Sequence, residues 1–387
     1  VGGDCLGGHR SDIHQKTKTV IMKRLVSLLL LLIVIGSCSP SKEKIVGTEI
    51  DEWFSKEFNA DEPGGAVLIL KGEKIIFEKG YGLADLQTKE KITPQTIFNI
   101  GSISKSFVSN ATLVLQQEGK LSVEDSLAKY FPDFKNKTIS QKVKIRNILT
   151  HTSGLPDNRR QHLDSVALLT AKDAENWAPV LLNDSLEFEP GERYEYSNPA
   201  FNGLALIVEK TSGKKWQQYV NEKILKPSGM VNSLITDGPF PERGVAHAYL
   251  KIGNQYIEKD YGEEPTFAAA GNGGVWSSVE ELAKYEIAIR KNVFLPKEVI
   301  EDTRTVKTFA NWKSTSAPEY GYSWVITKTD DGLKEVSHTG TQGGFHADYV
   351  SIPEKGILYV VLCNKPFPRE AFRQKILALL QQQNWLD

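Results

Sequence analysis

Residues 96–105 read Thr96-Ile97-Phe98-Asn99-Ile100-Gly101-Ser102-Ile103-Ser104-Lys105. An apolar lead-in stops at a glycine that permits a sharp turn, and a long helix is expected from there to near Gly119. Within it, Ser102-Ile103-Ser104-Lys105 fits S-x-x-K, which sets a hydroxyl and an amine one helical turn apart on one face. A serine at the helix start meets the positive end of the dipole, which favours an alkoxide. Lys105 points back onto the same turn and can take the proton if burial holds it neutral. The pattern alone is weak, because it recurs at Ser39, Ser41, Ser126 and Ser212 in ordinary polar sequence. By itself Ser102 would read as a helix cap with a solvated Lys105. Its context, and two further motifs, reverse that.

Outward from this stretch, residues 66–70 and 74–78 flank Lys71-Gly72-Glu73 as a β-hairpin. Residues 43–59 carry Val46, Ile50, Trp53 and Phe54 at helical spacing. From Gly119 to about residue 300 the chain reads mainly as helices and loops, punctuated by Pro132, Pro156, Pro190, Pro227 and Pro265. Strand patterns return at 320–327, 335–338, 347–352 and 357–362, and a helix closes the chain at 369–383. The expected fold class is α+β: an antiparallel sheet flanked by terminal helices, with a mainly helical domain inserted. The sheet part takes about residues 44–100 and 305–387, the helical part about 101–304.

The 387 residues are 40% hydrophobic and 25% charged, which excludes a collagen-like or disordered chain. Lys+Arg 47 against Asp+Glu 48 leaves a net charge of −1, so no nucleic-acid partner is expected. Met22-Lys23-Arg24 precedes an apolar run, 25–35, broken only by Ser27 and followed by Gly36-Ser37-Cys38. A basic start, a short apolar run and small residues describe a secretory signal, too short for the about 20 apolar residues of a membrane span. Ile35-Gly36-Ser37-Cys38 resembles a bacterial lipobox, with Cys38 the lipidated residue. Residues 1–21 then read as an over-extended start, 22–37 as a lipoprotein signal peptide and 38–387 as the functional domain. The expected location is the bacterial cell envelope, with the membrane engaged through the lipid.

Of Cys5, Cys38 and Cys363, only the last would remain as a thiol, so no intramolecular disulfide is expected. Cys363 ends an apolar run and reads as a small buried hydrophobe. No H-E-x-x-H, C-x-x-C, G-x-S-x-G, P-loop or G-x-G-x-x-G occurs, so neither a metal nor a cofactor is expected.

Tyr196-Ser197-Asn198 is the second motif, set between Glu189-Pro190-Gly191-Glu192 and Pro199. Tyr219-Val220-Asn221 has the same spacing, but mid-helix, where positions i and i+2 diverge. A tyrosine near a lysine can serve as a phenolate base, and an asparagine can orient the nucleophile or a substrate amide. His338-Thr339-Gly340-Thr341, at the end of a strand pattern, is the third. A strand edge offers backbone donors and acceptors to an extended substrate. The N–H groups of Thr341 and Ser102 would form an oxyanion hole.

S-x-x-K, Y-x-N and [K/H]-T-G, in that order, resemble the serine penicillin-recognising enzymes, and in particular class C β-lactamases and the related DD-peptidases and esterases. The resemblance covers about residues 44–385. The loop Leu149-Thr150-His151-Thr152-Ser153-Gly154-Leu155 and the segment Gly271-Asn272-Gly273-Gly274-Val275-Trp276-Ser277-Ser278 are similar to stretches of that family. It implies a β-lactamase/transpeptidase-like fold and a Ser102 acyl-enzyme. Lys105 and Tyr196 would share the base work, which of them leads being open, and Asn198, His338, Thr339, Gly340 and Thr341 would bind substrate. The third motif departs from class C β-lactamases, which carry Lys where this chain has His338. A neutral histidine is expected there at pH 7, gaining charge and carboxylate affinity as pH falls. The expected substrate is a small molecule or peptide. D-amino-acid or peptidoglycan-type peptides and esters come first, β-lactams second; a slowly turning-over penicillin- or peptidoglycan-binding protein is the rival. Oligomeric state is left open. His151 reads as a structural hydrogen-bonder, Trp276 as core, and His346 as lining the cleft or sitting on a strand surface.

Overall fold

The computed structural model describes residues 2, 40–156, 172–236, 240–241, 244–258 and 270–386. The expectations for residues 22–37 and Cys38 lie outside the described residues. Contacts along the chain separate Val1–Ile45 from Val46–Asp387, and the second unit carries the sheet and all three motifs.

The helices are α1 (Lys42–Glu57), α2 (Ser104–Gln117), α3 (Lys137–Lys142), α4 (Ile145–Leu149), α5 (Asp173–Leu181), α6 (Asn198–Ser212), α7 (Trp216–Val220), α8 (Val279–Arg290), α9 (Lys297–Thr303) and α10 (Arg369–Gln382). The strands are β1 (Gly65–Lys71), β2 (Lys74–Tyr81), β3 (Phe98–Asn99), β4 (Tyr249–Ile252), β5 (Gln255–Glu258), β6 (Trp276–Ser277), β7 (Val325–Lys328), β8 (Lys334–Gln342), β9 (Phe345–Ile352) and β10 (Ile357–Cys363). A six-stranded sheet runs β2-β1-β10-β9-β8-β7, every pairing antiparallel.

Both faces of this sheet are covered, which is why β1 and β10 read as unbroken apolar runs and not as alternation. On one face Val67, Ile69, Tyr359 and Val361 pack with Val46, Ile50 and Phe54 of α1 and Phe372 and Ile376 of α10. Phe54 meets the Phe372 ring edge-on at 4.8 Å. On the other, Ala66, Leu68 and Leu70 join the larger core that includes α2, α6 and α8. α2 is buried from Ser104 through Leu115, so its polar residues find partners inside. Asn110 Nδ2 donates to Tyr285 Oη at 2.7 Å, and Thr112 Oγ1 donates to the Val108 carbonyl at 2.9 Å. Lys105, on this central helix, is buried as a consequence of the fold.

The structure differs from the sequence expectations in three places. The helix does not begin at Ser102: residues Gly101–Ile103 form a 3-10 turn, and α2 starts at Ser104. The stretch 320–324 is not strand. Ser323 has φ of +64°, and the turn it makes leaves only Val325–Lys328 to pair with β8. The helical middle also contains the β4–β5 hairpin and β6, which pairs with β3 just before it. Cys363 is fully buried on β10, as a small hydrophobe should be. Among the described residues no helix is long and apolar enough to cross a membrane.

Candidate active site

The nucleophile turn is held against the sheet by two glycines. Gly101 has φ of +52°, and a Cβ there would sit 2.7 Å from the Thr341 nitrogen. A Cβ on Gly340 would be driven into the Ile100 carbonyl oxygen. Only with both side chains absent can the 100–102 backbone lie against β8. The Asn99 side chain fixes the entry, accepting from Gly101 N–H at 2.8 Å. The amides of Ser102 and Thr341 thus belong to two backbones in contact, as an oxyanion hole requires.

Lys105 is fully buried. Its Nζ lies 3.1 Å from Ser102 Oγ, 2.8 Å from Asn198 Oδ1 and 2.7 Å from the Asn272 carbonyl oxygen. The two carbonyl-type oxygens can only accept, so they use two N–H groups. Nζ also faces Ser102 Oγ, and the orbital directed there can hold a proton or a lone pair. Occupied by a proton it donates; as the lone pair of a neutral amine it receives the serine proton across the same contact. The Tyr196 ring lies beside it, with Nζ 4.9 Å from the centroid.

Asn198 and Tyr196 arrive from the start of α6. Ser197 takes the N-cap position, and Pro199, with its fixed φ, suits the first turn. The Ser197 N–H donates to His151 Nδ1 at 3.1 Å, and the His151 ring stacks on Tyr196 at 4.2 Å. His151 is fully buried; burial first, then the fields of Lys105 and His338, push its pKa well down. It is a neutral structural hydrogen-bonder that seats the Tyr196 loop.

His338 lies opposite Tyr349 of β9 and is 4% exposed. Nδ1 sits 2.6 Å from the Thr339 carbonyl, so it carries the proton, and Nε2 accepts from Tyr320 Oη at 3.0 Å. Burial, then the field of Lys105, push its pKa down to about 3 against that carbonyl bond. The expectation that this ring charges as pH falls below neutrality is therefore corrected: both nitrogens are engaged within the protein and the ring stays neutral. Thr339 and Thr341 are exposed. β7 pairs with β8 only over residues 334–337, which leaves residues 338–342 outside that pairing.

Sequence reasoning missed four participants. The Asn272 carbonyl is a backbone group and carries no side-chain signal. Tyr320 lies in a stretch whose pattern imitates a strand. Arg369 Nη1 donates to the Gly340 carbonyl at 2.7 Å and to Thr341 Oγ1 at 3.1 Å, placing a permanent cation beside the third motif. Asn202 Oδ1 accepts from Asn272 Nδ2 at 3.2 Å, one turn along the helix from Asn198. His346 is half-buried on β9 and accepts from Phe367 N–H at 3.3 Å, against the segment leading into α10. Trp276 is core, its ring edge-on to Phe345 at 5.5 Å.

Set beside known proteins, residues 51–383 match the family model described as Beta-lactamase. Penicillin-binding protein 4* of Bacillus subtilis is 28% identical over 328 residues, covering 81% of this chain and 70% of that protein. Protein flp of Staphylococcus aureus is 29% identical over 316 residues, 78% of this chain and 59% of its own length. The octameric penicillin-binding protein homologue from Pyrococcus abyssi superposes with a TM-score of 0.73 at 29% identity, covering 87% of this chain and 77% of that one.

Proposed function

This chain belongs to the beta-lactamase family of serine hydrolases, and on that premise we propose that it cleaves amide or ester bonds through a Ser102 acyl-enzyme. The observation that carries the reading is the contact between Lys105 Nζ and Ser102 Oγ at 3.1 Å, made by a fully buried lysine that Asn198 Oδ1 and the Asn272 carbonyl oxygen also hold. Lys105, as the neutral amine, takes the Oγ proton while Oγ bonds to the substrate carbonyl carbon. The oxyanion is held by the N–H groups of Ser102 and Thr341. Collapse of the tetrahedral species expels an amine or alkoxide, which receives a proton through Tyr196 or Lys105. Water then attacks the acyl-enzyme, the product carboxylic acid leaves, and Ser102 regains its proton.

For substrate, D-amino-acid or peptidoglycan-type peptides and small esters stand ahead of β-lactams. The strand edge at 338–342 suits an extended chain. With His338 neutral, Arg369 is the cation available to a terminal carboxylate. The chain spans 59% of the length of protein flp, so further functions of such relatives do not transfer. The export reading belongs to the same proposal: the mature protein begins at a lipidated Cys38, and mass spectrometry finding residues 22–37 intact on membrane-associated protein would refute it.

The test labels the protein with a fluorophosphonate or a penicillin and maps the adduct, then follows an ester to steady state. A label on Ser102 with sustained turnover is expected. A single burst without turnover would favour the slow-release binding protein, and a label elsewhere would overturn the site.

A further inference from the structure

We infer that Asp173 is a positioning residue for Lys105: it holds the loop at 271–272 so that the Asn272 carbonyl stays aimed at Nζ. The inference rests on the reading of Lys105 as the base that activates Ser102, and concerns how that base is held.

Asp173 opens α5 and is almost completely buried. Three groups donate to its carboxylate: Gly271 N–H to Oδ1 at 2.8 Å, Asn202 Nδ2 to Oδ1 at 2.7 Å, and Trp216 Nε1 to Oδ2 at 2.8 Å. Two of these converge on one target. Gly271 N–H belongs to the residue that precedes Asn272. The Asn202 amide, fixed with Nδ2 toward Asp173, turns its Oδ1 to accept from Asn272 Nδ2. The loop carrying Lys105's acceptor is thus clamped at its backbone and at its side chain by one carboxylate. Glycine at 271 is part of the same fit, since a Cβ there would lie 2.6 Å from Ala205 Cβ and 3.1 Å from the Phe201 carbonyl oxygen.

The position demands an acceptor-only group. An asparagine would turn an NH2 toward one of the three donors, and a protonated acid would do the same with its hydroxyl. No cation among the described residues pairs with Asp173, whereas the other buried acids Glu281, Glu286, Glu335 and Asp348 each have one. The place at the first turn of α5 favours the anion through the helix dipole. Burial lifts its pKa to about 7 against the three donors, and Glu209 on α6 is the other charged group whose field reaches it. Titratable groups that face Lys105 include Tyr196 and the neutral His151 and His338.

The experiment measures the second-order rate of Ser102 labelling by a fluorophosphonate across the pH range, together with Tm. Asp173→Asn is expected to lower the plateau rate roughly tenfold, the scale of a small displacement of a catalytic group. Its acid limb should also move to lower pH, because the ammonium loses a remote counter-charge and the titration of Asp173 itself is gone. Asn202→Ala should reproduce the rate loss, and serves if Asp173→Asn fails to fold. Val208→Ala, a core truncation farther along α6, should lower Tm while keeping both the rate within about twofold and the acid limb in place. Wild-type rate and pH profile in Asp173→Asn would overturn the inference, as would a rate loss matched by Val208→Ala. Lys105→Ala separates the two levels. If it labels normally the proposed base is wrong; if it is dead while Asp173→Asn is normal, only the positioning role falls.

Discussion

Glu286 and Lys105 are both fully buried ionisable side chains, and the molecule treats them in opposite ways. Glu286, on α8, is saturated with charge partners. Arg304 bonds to both carboxylate oxygens at 3.1 and 2.6 Å, Arg290 Nε donates at 2.9 Å, and the hydroxyls of Ser351 and Tyr349 add two more donors. Burial works against the charge, but Arg304 and then Arg290 outweigh it and hold the pKa at about 2. Such a network locks a helix to a sheet and cannot change protonation at any ordinary pH. Lys105 Nζ is instead bonded to one hydroxyl and two carbonyl-type oxygens. Burial disfavours the charged form of an amine. Arginines in direct contact mark the structural site; contact with the Ser102 hydroxyl marks the reactive one.

The largest expected effect breaks the reactive side of this comparison. Ser102→Ala and Lys105→Met should each lower kcat/KM by about 10³-fold or more. Lys105→Met should leave Tm unchanged or higher, since replacing a buried charge with an apolar side chain of similar length is often neutral or stabilising. A Tm that fell sharply in Lys105→Met would show that Lys105 holds the fold as Glu286 does.

The structural side should fail in the opposite manner. Glu286→Gln leaves two arginines facing a neutral amide and should cost about 3–5 kcal/mol by urea denaturation, with Ser102 labelling of the folded fraction unimpaired. The native pKa of Glu286 is depressed from 4.5 to about 2. Its contribution is therefore complete above the unfolded value and is lost as pH falls through that window. Wild-type stability should drop across it more steeply than that of Glu286→Gln.

The contrast also explains what could be read from the sequence. The centre of the sheet was legible because β1 and β10 are apolar and carry β-branched residues, and α1 because Val46, Ile50 and Phe54 repeat at helical spacing. The stretch 320–324 misled because its aromatic residues imitate a strand while Ser323 takes a positive φ. The β4–β5 hairpin had a usable signal in Gly253-Asn254, a two-residue turn pair, although its strands are short and half exposed. At the site, the motif residues Ser102, Lys105, Tyr196 and Asn198 do come together. The Asn272 carbonyl, Arg369 and the Asp173 clamp were invisible, because backbone groups and partners distant in sequence leave no local pattern.

A smaller effect concerns which residue supplies positive charge to a substrate. Arg369→Gln should reduce kcat/KM for substrates with a free carboxylate by roughly two- to fivefold relative to a neutral ester, the scale of a partly exposed ion pair. His338→Asn should leave the pH dependence of that selectivity unchanged, because burial and the field of Lys105 already hold the ring neutral down to about pH 3. By NMR the His338 ring should show no titration near neutrality. A selectivity that followed the titration of His338 and ignored Arg369 would restore the histidine as the carboxylate receptor.

The smallest expected effect is none at all, and it tests the comparison within the S-x-x-K pattern itself. Ser126 and Lys129 share the spacing of Ser102 and Lys105, as do Ser212 and Lys215. Lys129 Nζ is 2.8 Å from Asp125 and Lys215 Nζ is 3.8 Å from Glu209, with both lysine side chains more than half exposed. Ser212 Oγ is occupied with the backbone of Lys214, accepting from its N–H at 3.1 Å. Each decoy lysine is largely exposed and paired with a carboxylate, unlike the buried Lys105. Ser126→Ala and Ser212→Ala should therefore match wild type in labelling stoichiometry and in ester turnover. Burial beside its serine, and not the four-residue spacing, is what sets Lys105 apart from the decoys. A decoy variant that lost activity would separate the two in the wrong direction and break the argument at its root.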